Sequence, residues 1–340
     1  MSKVAVVILN WNGAEMLRKF LPSVVKNTNN DLAEIYVADN GSTDNSIDVL
    51  KSEFPSVGLI SFKENYGFAE GYNKVMECVD AEYVVLLNSD VEVTEQWIEP
   101  MLAYMESHYD IAACQPKILS YHDKAKFEYA GASGGFIDRY GYPFCRGRVF
   151  DSLETDNGQY DMPTDIFWAS GAAMFVRRTV YMEVGGLDAR FFAHMEEIDL
   201  CWRLLSRGYR LVCVPESKVY HVGGATLKKE NPRKTYLNFR NNLLMMYKNL
   251  PSDELVKIMS VRSLLDYLAV IFYVLKFDFP NAKAVIKARR DYVSMRNDFK
   301  SSREDNLRHT KISKLKYRYD FSLILQSKIF GKTTFTRLVK

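Results

Sequence analysis

The sequence lacks the features that mark several protein classes. Its five cysteines form no CxxC pair, so neither a zinc site nor a complete disulfide framework is indicated, and we expect a reducing, cytosolic setting. The first apolar run, Val4 to Leu9, has six residues, fewer than the core of a secretory signal. No uncharged stretch exceeds 11 residues, whereas a membrane-spanning helix needs roughly 18 to 20 apolar residues. We therefore expect no segment to cross a bilayer.

A large charge of one sign is also absent from the chain as a whole. The 45 Lys and Arg residues against 42 Asp and Glu residues give a net charge of +3, too low for a protein that coats nucleic acid non-specifically. No nucleic-acid-binding module is recognisable, so we expect no nucleic-acid partner. The charge is uneven, because residues 276–340 hold 17 Lys and Arg against 6 Asp and Glu, a net charge of +11.

Five short apolar runs predict strands buried on both faces of a parallel sheet. Helical patterns lie between the runs, so the sequence predicts an α/β fold with right-handed crossovers. The region from about Lys117 to Asp165 is rich in Gly, Pro and aromatic residues and predicts loops and hairpins beside the sheet. The five apolar runs are Val4–Leu9, Ile35–Ala38, Val57–Ile60, Tyr83–Leu87 and Ile111–Cys114.

Polar segments follow the first four of these strands. Ligands of open α/β sheets bind at the carboxyl ends of the strands, so we expect the four segments to converge on one edge. Neither GxGxxG nor GxxxxGK[ST] is present, which argues against dinucleotide enzymes and ATP hydrolysis. A polar edge of this kind suits a nucleotide whose phosphates are held by Mg²⁺ or Mn²⁺ bound through Asp90. The segments are Asn10–Gly13, Asp39–Asp44, Lys63–Gly67 and Asn88–Asp90.

Eight motifs occur in order along roughly residues 3 to 250: VVILNWNG, VADNGSTD, ENYGFAEGYN, LLNSD, FWASGAAMFVRR, GGLDARFFAHMEEIDLCWRLLSRGYR, VYHVGGAT and NFRNNLLMMYKN. Together they resemble the motifs of family 2 glycosyltransferases of the inverting GT-A type, in the rhamnosyltransferase-like branch. The resemblance implies a mostly parallel nucleotide-binding sheet flanked by helices. It divides the chain into a catalytic domain over residues 1–225 and a helical, basic C-terminal region over residues 226–340.

The resemblance also assigns residues to the nucleotide-sugar donor. Asp39 would contact the nucleobase, and Asp44 would lie near the ribose or the base. Asp90 would bind the metal at the diphosphate, with His221 as a second ligand or a phosphate hydrogen-bond partner; a buried histidine bound only to backbone is the structural alternative. The other residues assigned to the nucleotide are Asn10, Asn12, Asn40, Asn65, Gly67, Asn73 and Asn88.

Three carboxylates within four residues are the candidates for a catalytic base. Inverting transfer needs one base to deprotonate the acceptor hydroxyl, and crowding by like charges raises the pKa of a carboxylate. The resemblance places this base at Glu197, which we prefer to Glu196 and Asp199. Acidic residues that merely favour a helix N-terminus are the structural alternative.

Three tryptophans could offer a stacking face to a sugar or base, and the acceptor side is assigned from one of them. We expect at least two of Trp11, Trp168 and Trp202 to pack in the core. Trp168 is our choice for the acceptor side, together with Gly171, where the missing side chain permits close approach of the backbone.

The basic C-terminal region has two interpretations. The uncharged stretch Tyr267–Leu275 has nine residues, too few to span a membrane, so the region either contacts anionic lipid or packs as a helical cap.

The resemblance implies transfer of rhamnose from dTDP-rhamnose, or of a hexose from a UDP-hexose, in bacterial surface polysaccharide or O-antigen synthesis. The acceptor would be a glycan or a polyprenyl-diphosphate-linked sugar, and the enzyme cytoplasmic, with peripheral inner-membrane contact. A catalytically silent nucleotide-sugar-binding homologue and a nucleotidyltransferase are the alternatives.

Overall fold

The computed structural model of the protein describes residues 2–223 and 231–339, and the predicted apolar runs form strands within them. The strands of this part of the chain are β1 (Val4–Asn10), β2 (Ala33–Asn40), β3 (Gly58–Phe62), β4 (Tyr83–Leu87), β5 (Val91–Val93), β6 (Ile111–Ser120), β7 (Gly135–Asp138), β8 (Pro143–Cys145), β9 (Arg148–Val149), β10 (Ser152–Leu153), β11 (Thr164–Asp165), β12 (Ala173–Arg177), β13 (Arg210–His221) and β14 (Arg318–Tyr319). The helices are α1 (Ala14–Asn27), α2 (Ser46–Glu53), α3 (Gly67–Cys78), α4 (Glu99–Ser107), α5 (Arg178–Glu183), α6 (Glu196–Ser206), α7 (Pro232–Asn249), α8 (Ser252–Leu275), α9 (Phe279–Met295), α10 (Lys300–Arg308) and α11 (Phe335–Val339).

Nine strands form one mixed sheet. Its order is β11-β13-β6-β12-β4-β1-β2-β3, and β5 pairs with β13. Strands β4, β1, β2 and β3 are parallel neighbours, whereas β12 runs antiparallel to both β4 and β6. The predicted α/β fold is therefore confirmed, and the carboxyl ends of β1, β2 and β4 meet at one edge of the sheet.

Helix α1 shows how the sequence pattern covers this sheet. Its buried face is formed by Leu17, Phe20, Leu21 and Val24, at the spacing that predicts an amphipathic helix. Each such side chain contributes about 1.5–3 kcal/mol when it is fully buried. The face of α1 thus fixes the helix beside the polar end of β1.

A second sheet of five strands fills the region predicted as loops and hairpins. Its order is β10-β9-β8-β7-β14, while residues 117–120 of that region instead continue β6. Strand β14 comes from the C-terminal region and pairs in parallel with β7. The carboxylate of Asp138 at the end of β7 accepts a 2.7 Å hydrogen bond from the backbone N–H of Leu323. The predicted domain boundary at residues 225 and 226 lies outside the described residues. The pairing of β14 with β7 and the Leu323–Asp138 hydrogen bond connect the region after this boundary to the region before it.

Helix α8 corrects the expectation that no segment is long and apolar enough to cross a membrane. It has 24 residues, and its most apolar 18-residue window has a mean hydropathy of 1.7 with only 17% of the window buried. Counting only uncharged residues underestimated the length of this apolar helix, because the helix continues through Arg262 and Asp266. These two side chains form a buried ion pair, Nε to Oδ1, at 2.8 Å. By length and composition alone α8 could span a bilayer.

Candidate functional site

The loops after β1 and β2 are joined by side-chain hydrogen bonds. Asn10 Nδ2 donates to Asp39 Oδ1 (3.2 Å) and to Ser42 Oγ (3.3 Å). The backbone N–H of Ser42 donates to Asp39 Oδ2 (3.0 Å), and Asp39 is fully buried. Gly13 leaves room for this network, since a Cβ there would lie 2.3 Å from Asn10 Oδ1. The structure thus brings Asn10 and Asp39 together at the sheet edge, as the sequence predicts.

Asn12 and Asp44 connect the same loops, but Asp44 acts as a helix cap. Asn12 Oδ1 accepts from the backbone N–H of Thr43 (2.7 Å). Asp44 Oδ2 accepts from the N–H of Ala14 (3.1 Å), and its Oδ1 accepts from the N–H of Ser46 (3.0 Å). Burial acts to raise the pKa of Asp44, but these hydrogen bonds lower it overall. Both oxygens stabilise helix starts, but Asp44 is exposed and its Oδ2 keeps a second lone pair, so the contact with the ribose or base stays a prediction.

The amides of Asn40 and Asn65 shape the start of α3. Asn40 Nδ2 donates to Asn65 Oδ1 (3.1 Å) and to the carbonyl of Gly67 (3.0 Å). Asn65 Oδ1 also accepts from the N–H of Gly67 (2.8 Å). Gly41 has φ +72°, and a Cβ there would lie 2.6 Å from the carbonyl carbon of Glu64. These predicted residues therefore lie together at the sheet edge and hold its backbone in place.

Asn73 braces α3 against the segment that leads to α6. Its Nδ2 donates to the carbonyl of Leu187 (2.8 Å), and its Oδ1 accepts from the Leu187 N–H (3.0 Å) and the Tyr181 hydroxyl (2.6 Å). Protein groups occupy both ends of this amide, so the prediction that Asn73 binds the nucleotide is corrected.

Asp90, His221 and Glu128 form a buried row where β13 ends. His221 Nε2 lies 3.1 Å from Asp90 Oδ1 and 3.4 Å from Asn88 Nδ2, and His221 Nδ1 lies 3.3 Å from Glu128 Oε2. Burial acts to lower the pKa of His221, but the two carboxylates raise it to about 10. Burial acts to raise the pKa of Asp90, and the contact with His221 lowers it overall. Sequence reasoning missed Glu128, because no motif marks a lone carboxylate in a loop region.

This row fits a divalent cation with two protein ligands. Oδ1 of Asp90 suits Mg²⁺ or Mn²⁺, and Nε2 of His221 suits Mn²⁺ better than the harder Mg²⁺. Because the pKa of His221 is raised to about 10, an ion would have to displace the proton on Nε2, while Glu128 beside the opposite ring nitrogen would keep the proton on Nδ1. Among residues 2–223 and 231–339, no group of three or more His, Cys, Asp or Glu side chains is placed to hold an ion. Phosphate oxygens of a ligand would therefore have to complete the coordination.

Glu196 and Glu197 begin α6 directly after a strained turn. Phe192, His194 and Met195 have φ values of +67°, +70° and +74°, in the region that costs energy for residues with a side chain. Oε2 of Glu196 and Oε2 of Glu197 are buried and have no hydrogen-bond partner among the described residues. Burial raises the pKa of Glu197 to about 7. Burial, followed by the charge of Glu197, raises the pKa of Glu196 well above its ordinary value.

Glu197 shares a face of α6 with Cys201, one helical turn later. Cys201 Sγ accepts from the N–H of Ala169 (3.4 Å) in the segment before β12. The pKa of Glu197 near neutrality suits a group that takes up a proton.

Asp199 lies in a closed ion cluster. Its Oδ2 accepts from Arg203 Nε (3.0 Å) and Lys248 Nζ (2.7 Å), and its Oδ1 accepts from Asn249 Nδ2 (2.7 Å). All four residues are buried. Because both oxygens are used, we correct the assignment of Asp199 as a candidate base. It holds α6 against α7.

A buried amide on α7 holds the strained turn. Asn241 Nδ2 donates to the carbonyls of Phe191 (2.9 Å), Ala193 (2.8 Å) and His194 (2.8 Å). Arg240 in turn donates to Asn241 Oδ1 at 2.7 Å. The sequence motif NFRNN was recognised, but its spacing gave no indication that it supports the segment before Glu197.

His194 is a further candidate that sequence reasoning missed. Its Nε2 is buried and unpaired among the residues described, and burial with the charge of Lys234 lowers the pKa of His194 to about 4. A neutral imidazole can donate to or accept from a hydroxyl. In the sequence, the position of His194 two residues before the acidic pair Glu196 and Glu197 could have indicated a place in the site.

Trp168 is a core residue, so its assignment to the acceptor side is wrong. Its Nε1 donates to the carbonyl of Phe136 (3.0 Å), and its ring fills the space where a Cβ on Gly135 would stand, within 2.0 Å. Gly171 is buried, and a Cβ there would lie 3.1 Å from the ring of Phe68. Trp11, 53% exposed at the end of β1, is the indole available for stacking.

Comparisons with known proteins confirm the family and the fold that the motifs indicate. The sequence model described as Glycosyl transferase family 2 matches residues 5–184. The N-acetylglucosaminyl-diphospho-decaprenol L-rhamnosyltransferase of Mycobacterium tuberculosis is 27% identical over 231 residues, 64% of this chain and 75% of that protein. Rhamnosyltransferase WbbL of Escherichia coli is 24% identical over 226 residues, 64% of this chain and 83% of that protein.

A solved structure supports the GT-A fold. The crystal structure of GalNAc-T7 with UDP, GalNAc and Mn²⁺ aligns with a TM-score of 0.61 at 16% identity. The alignment covers 97% of this chain and 57% of that chain. At this identity the similarity shows the fold alone.

Replacing Trp168 with Ala is expected to lower the free energy of unfolding by about 3–5 kcal/mol, because it leaves a cavity against Gly135. Trp11→Ala is the matched control, with an expected change within about 0.5 kcal/mol because Trp11 is exposed. Urea unfolding followed by far-UV circular dichroism measures both. Equal, small losses in the two variants would contradict the core assignment.

Proposed function

The chain belongs to glycosyl transferase family 2, and from this premise we propose that it is an inverting, metal-dependent enzyme that transfers a sugar to an acceptor hydroxyl. The observation that carries the proposal is the presence of two separate ionisable groups, one where β13 ends and one at the start of α6. The Asp90–His221 contact suits the diphosphate of a donor, and Glu197 offers a buried, partnerless oxygen with a pKa near 7. Asp90 and His221 would thus serve the leaving diphosphate, and Glu197 would serve the acceptor hydroxyl.

The donor we propose is dTDP-rhamnose, with a UDP-hexose as the alternative. Two similar proteins carry the name rhamnosyltransferase. Each oxygen of Asp39 keeps a second lone pair beyond its bond to Asn10 or Ser42, and uracil and thymine both present an imide N–H to such an acceptor. The exposed ring of Trp11 stands next to this site for stacking.

Asp90 and His221 would hold Mg²⁺ or Mn²⁺. Such an ion, when bound, neutralises the charge that develops on the leaving diphosphate. Asp90 supplies an anionic oxygen, since its pKa is lowered overall. Glu128 orients the imidazole from the other ring nitrogen, at 3.3 Å.

Glu197 takes the proton of the acceptor hydroxyl. As the hydroxyl oxygen bonds to the anomeric carbon, the bond from that carbon to the diphosphate oxygen breaks, and the nucleoside diphosphate leaves on the opposite face. Burial and the charge of Glu197 raise the pKa of Glu196 well above its ordinary value, so we give the proton-accepting role to Glu197. The amide of Asn241 keeps the preceding turn in place while the proton moves.

The acceptor we propose is a polyprenyl-diphosphate-linked sugar in bacterial surface polysaccharide synthesis. The mycobacterial relative is named for an acceptor of this class, N-acetylglucosaminyl-diphospho-decaprenol. An acceptor anchored in lipid requires the site to meet the cytoplasmic face of the inner membrane. We therefore include peripheral membrane contact in the proposal.

The Glu197→Gln variant is expected to fold normally and to lose transfer by about 10²–10⁴-fold, because the amide cannot accept the proton. Glu196→Gln is the matched control, with a smaller loss expected because the proton of the acceptor goes to Glu197. Product formation with dTDP-rhamnose and UDP-hexoses measures both, and calorimetric titration of the nucleotide shows that the donor site persists. Near-normal turnover of Glu197→Gln would rule out its role as base.

The pH dependence of turnover should follow the same carboxylate. Activity requires the ionised form of Glu197, so kcat should fall as the pH drops below about 7 and level off above it. Turnover measured from about pH 5.5 to 8.5 in the native enzyme, beside the residual turnover of Glu197→Gln, tests this. The inflection of kcat near pH 7 should be absent from the Glu197→Gln variant. If the variant kept the inflection, a group other than Glu197 would be responsible for it.

Removal of divalent cations should abolish donor turnover. With EDTA, nucleotide release from the donor is expected to drop at least about tenfold and to return with Mn²⁺ or Mg²⁺, and Asp90→Asn should behave like the chelated enzyme. Unchanged release under EDTA would exclude the metal. A catalytically silent nucleotide-sugar-binding homologue would release no nucleotide in either condition.

A further inference from the structure

The second half of α8 and the turn into α9 expose a continuous set of large apolar side chains. Those on the helix recur at intervals of three and four residues, so they share one face. A contiguous exposed apolar surface marks an interaction site more often than chance. The members, here called the apolar stripe, are 50–81% exposed: Leu264, Tyr267, Leu268, Ile271, Phe272, Leu275, Phe277 and Phe279.

The opposite face of α8 is fixed to the rest of the protein by buried charges. Asp266 accepts from Arg262 Nε (2.8 Å) and from Arg289 NH1 on α9 (2.7 Å), and Arg262 also donates to the carbonyl of Tyr140 (2.7 Å). Breaking such a buried network is strongly destabilising. The helix therefore meets the length and hydropathy of a membrane span, yet these contacts hold it on the protein surface.

Lys276 lies beside the apolar stripe, with its Nζ 5.7 Å from the centroid of the Phe272 ring, and Lys283, Lys287 and Arg290 are exposed on the helix that follows, α9. Between residues 264 and 279 one acidic side chain, Asp266, is buried, and the other, Asp278, caps α9. An apolar face with a basic border is complementary to an anionic bilayer. A second copy of the chain would instead bring the same positive charges together.

The helix that carries the stripe lies close to the loop that supplies Glu128. Tyr273 on α8 is within electrostatic reach of Tyr129, which directly follows Glu128, the partner of His221.

We propose that the apolar stripe inserts into the interfacial layer of an anionic lipid bilayer, with the bordering lysines and arginine on the headgroups. This docking holds the enzyme at the membrane surface, where a lipid-linked sugar is presented. The inference deepens the proposed function and rests on it for the identity of the acceptor. Binding to lipid does not depend on turnover and is measured separately.

Co-sedimentation of the full chain with phosphatidylglycerol–phosphatidylcholine vesicles tests the docking. Ile271→Glu is expected to lower the partition coefficient at least about tenfold, because it puts a charge in the inserted face. Val256→Glu is the matched control: Val256 is 76% exposed on the same helix but outside the stripe, and binding should be unchanged. The double variant Lys283→Glu and Lys287→Glu should weaken binding at low salt and reduce its salt dependence.

Several results would overturn the docking. They are the absence of pelleting with anionic vesicles, equal losses in the Ile271 and Val256 variants, or a dimer in solution that Ile271→Glu dissociates. Transfer to a water-soluble acceptor should be the same in Ile271→Glu and native protein, whereas transfer to a lipid-linked acceptor in vesicles should fall. Intact vesicle binding without any transfer would refute the proposed function and leave the docking standing.

Discussion

The buried amide of Asn241 and the turn that it holds are the contact on which the catalytic geometry depends. Three residues of that turn have positive φ, each costing about 1–3 kcal/mol. Asn241 bonds three carbonyls of the turn, and each bond contributes only about 1 kcal/mol net. The Asp199 cluster supplies the remaining constraint, because it ties α6 to the same helix, α7. Glu197 is thus placed from two sides by groups that never touch a substrate.

This arrangement makes α7 part of the site. The sequence predicts a separate helical region over residues 226–340. In the structure, Asn241 from that region contacts the turn before Glu196, and Lys248 and Asn249 contact Asp199 in the first turn of α6. The same region supplies α8, which carries the apolar stripe. The proposed positioning of the base and the proposed membrane docking therefore involve one connected group of helices.

Ordered motifs were enough to predict the sheet, its polar edge and the residues that meet there. Asn10 with Asp39 and Asp90 with His221 come together because parallel strands bring their carboxyl ends to one side. Asn73 and Asp199 were misassigned for a common reason. An Asp or Asn that caps a helix or braces a loop is the same residue type as one that binds a ligand. Only the structure shows whether the lone pairs of its side chain are already used in hydrogen bonds.

Non-local packing explains the other errors. Trp168 is close to Gly171 in sequence, but its position is set by Gly135, more than thirty residues earlier. The missing side chain of Gly135 leaves the space that the Trp168 ring fills. Glu128 reaches His221 from a loop almost a hundred residues away, a pairing that no spacing rule contains.

The pairing of β14 with β7 has a consequence for how the protein is made. Nearly 180 residues separate these strands, and Leu323 supplies an N–H to Asp138 across the same distance. Contacts of such high order form late and slowly. During synthesis the five-stranded sheet stays one strand short until residue 319 has left the ribosome, with the edge of β7 open to unwanted strand pairing.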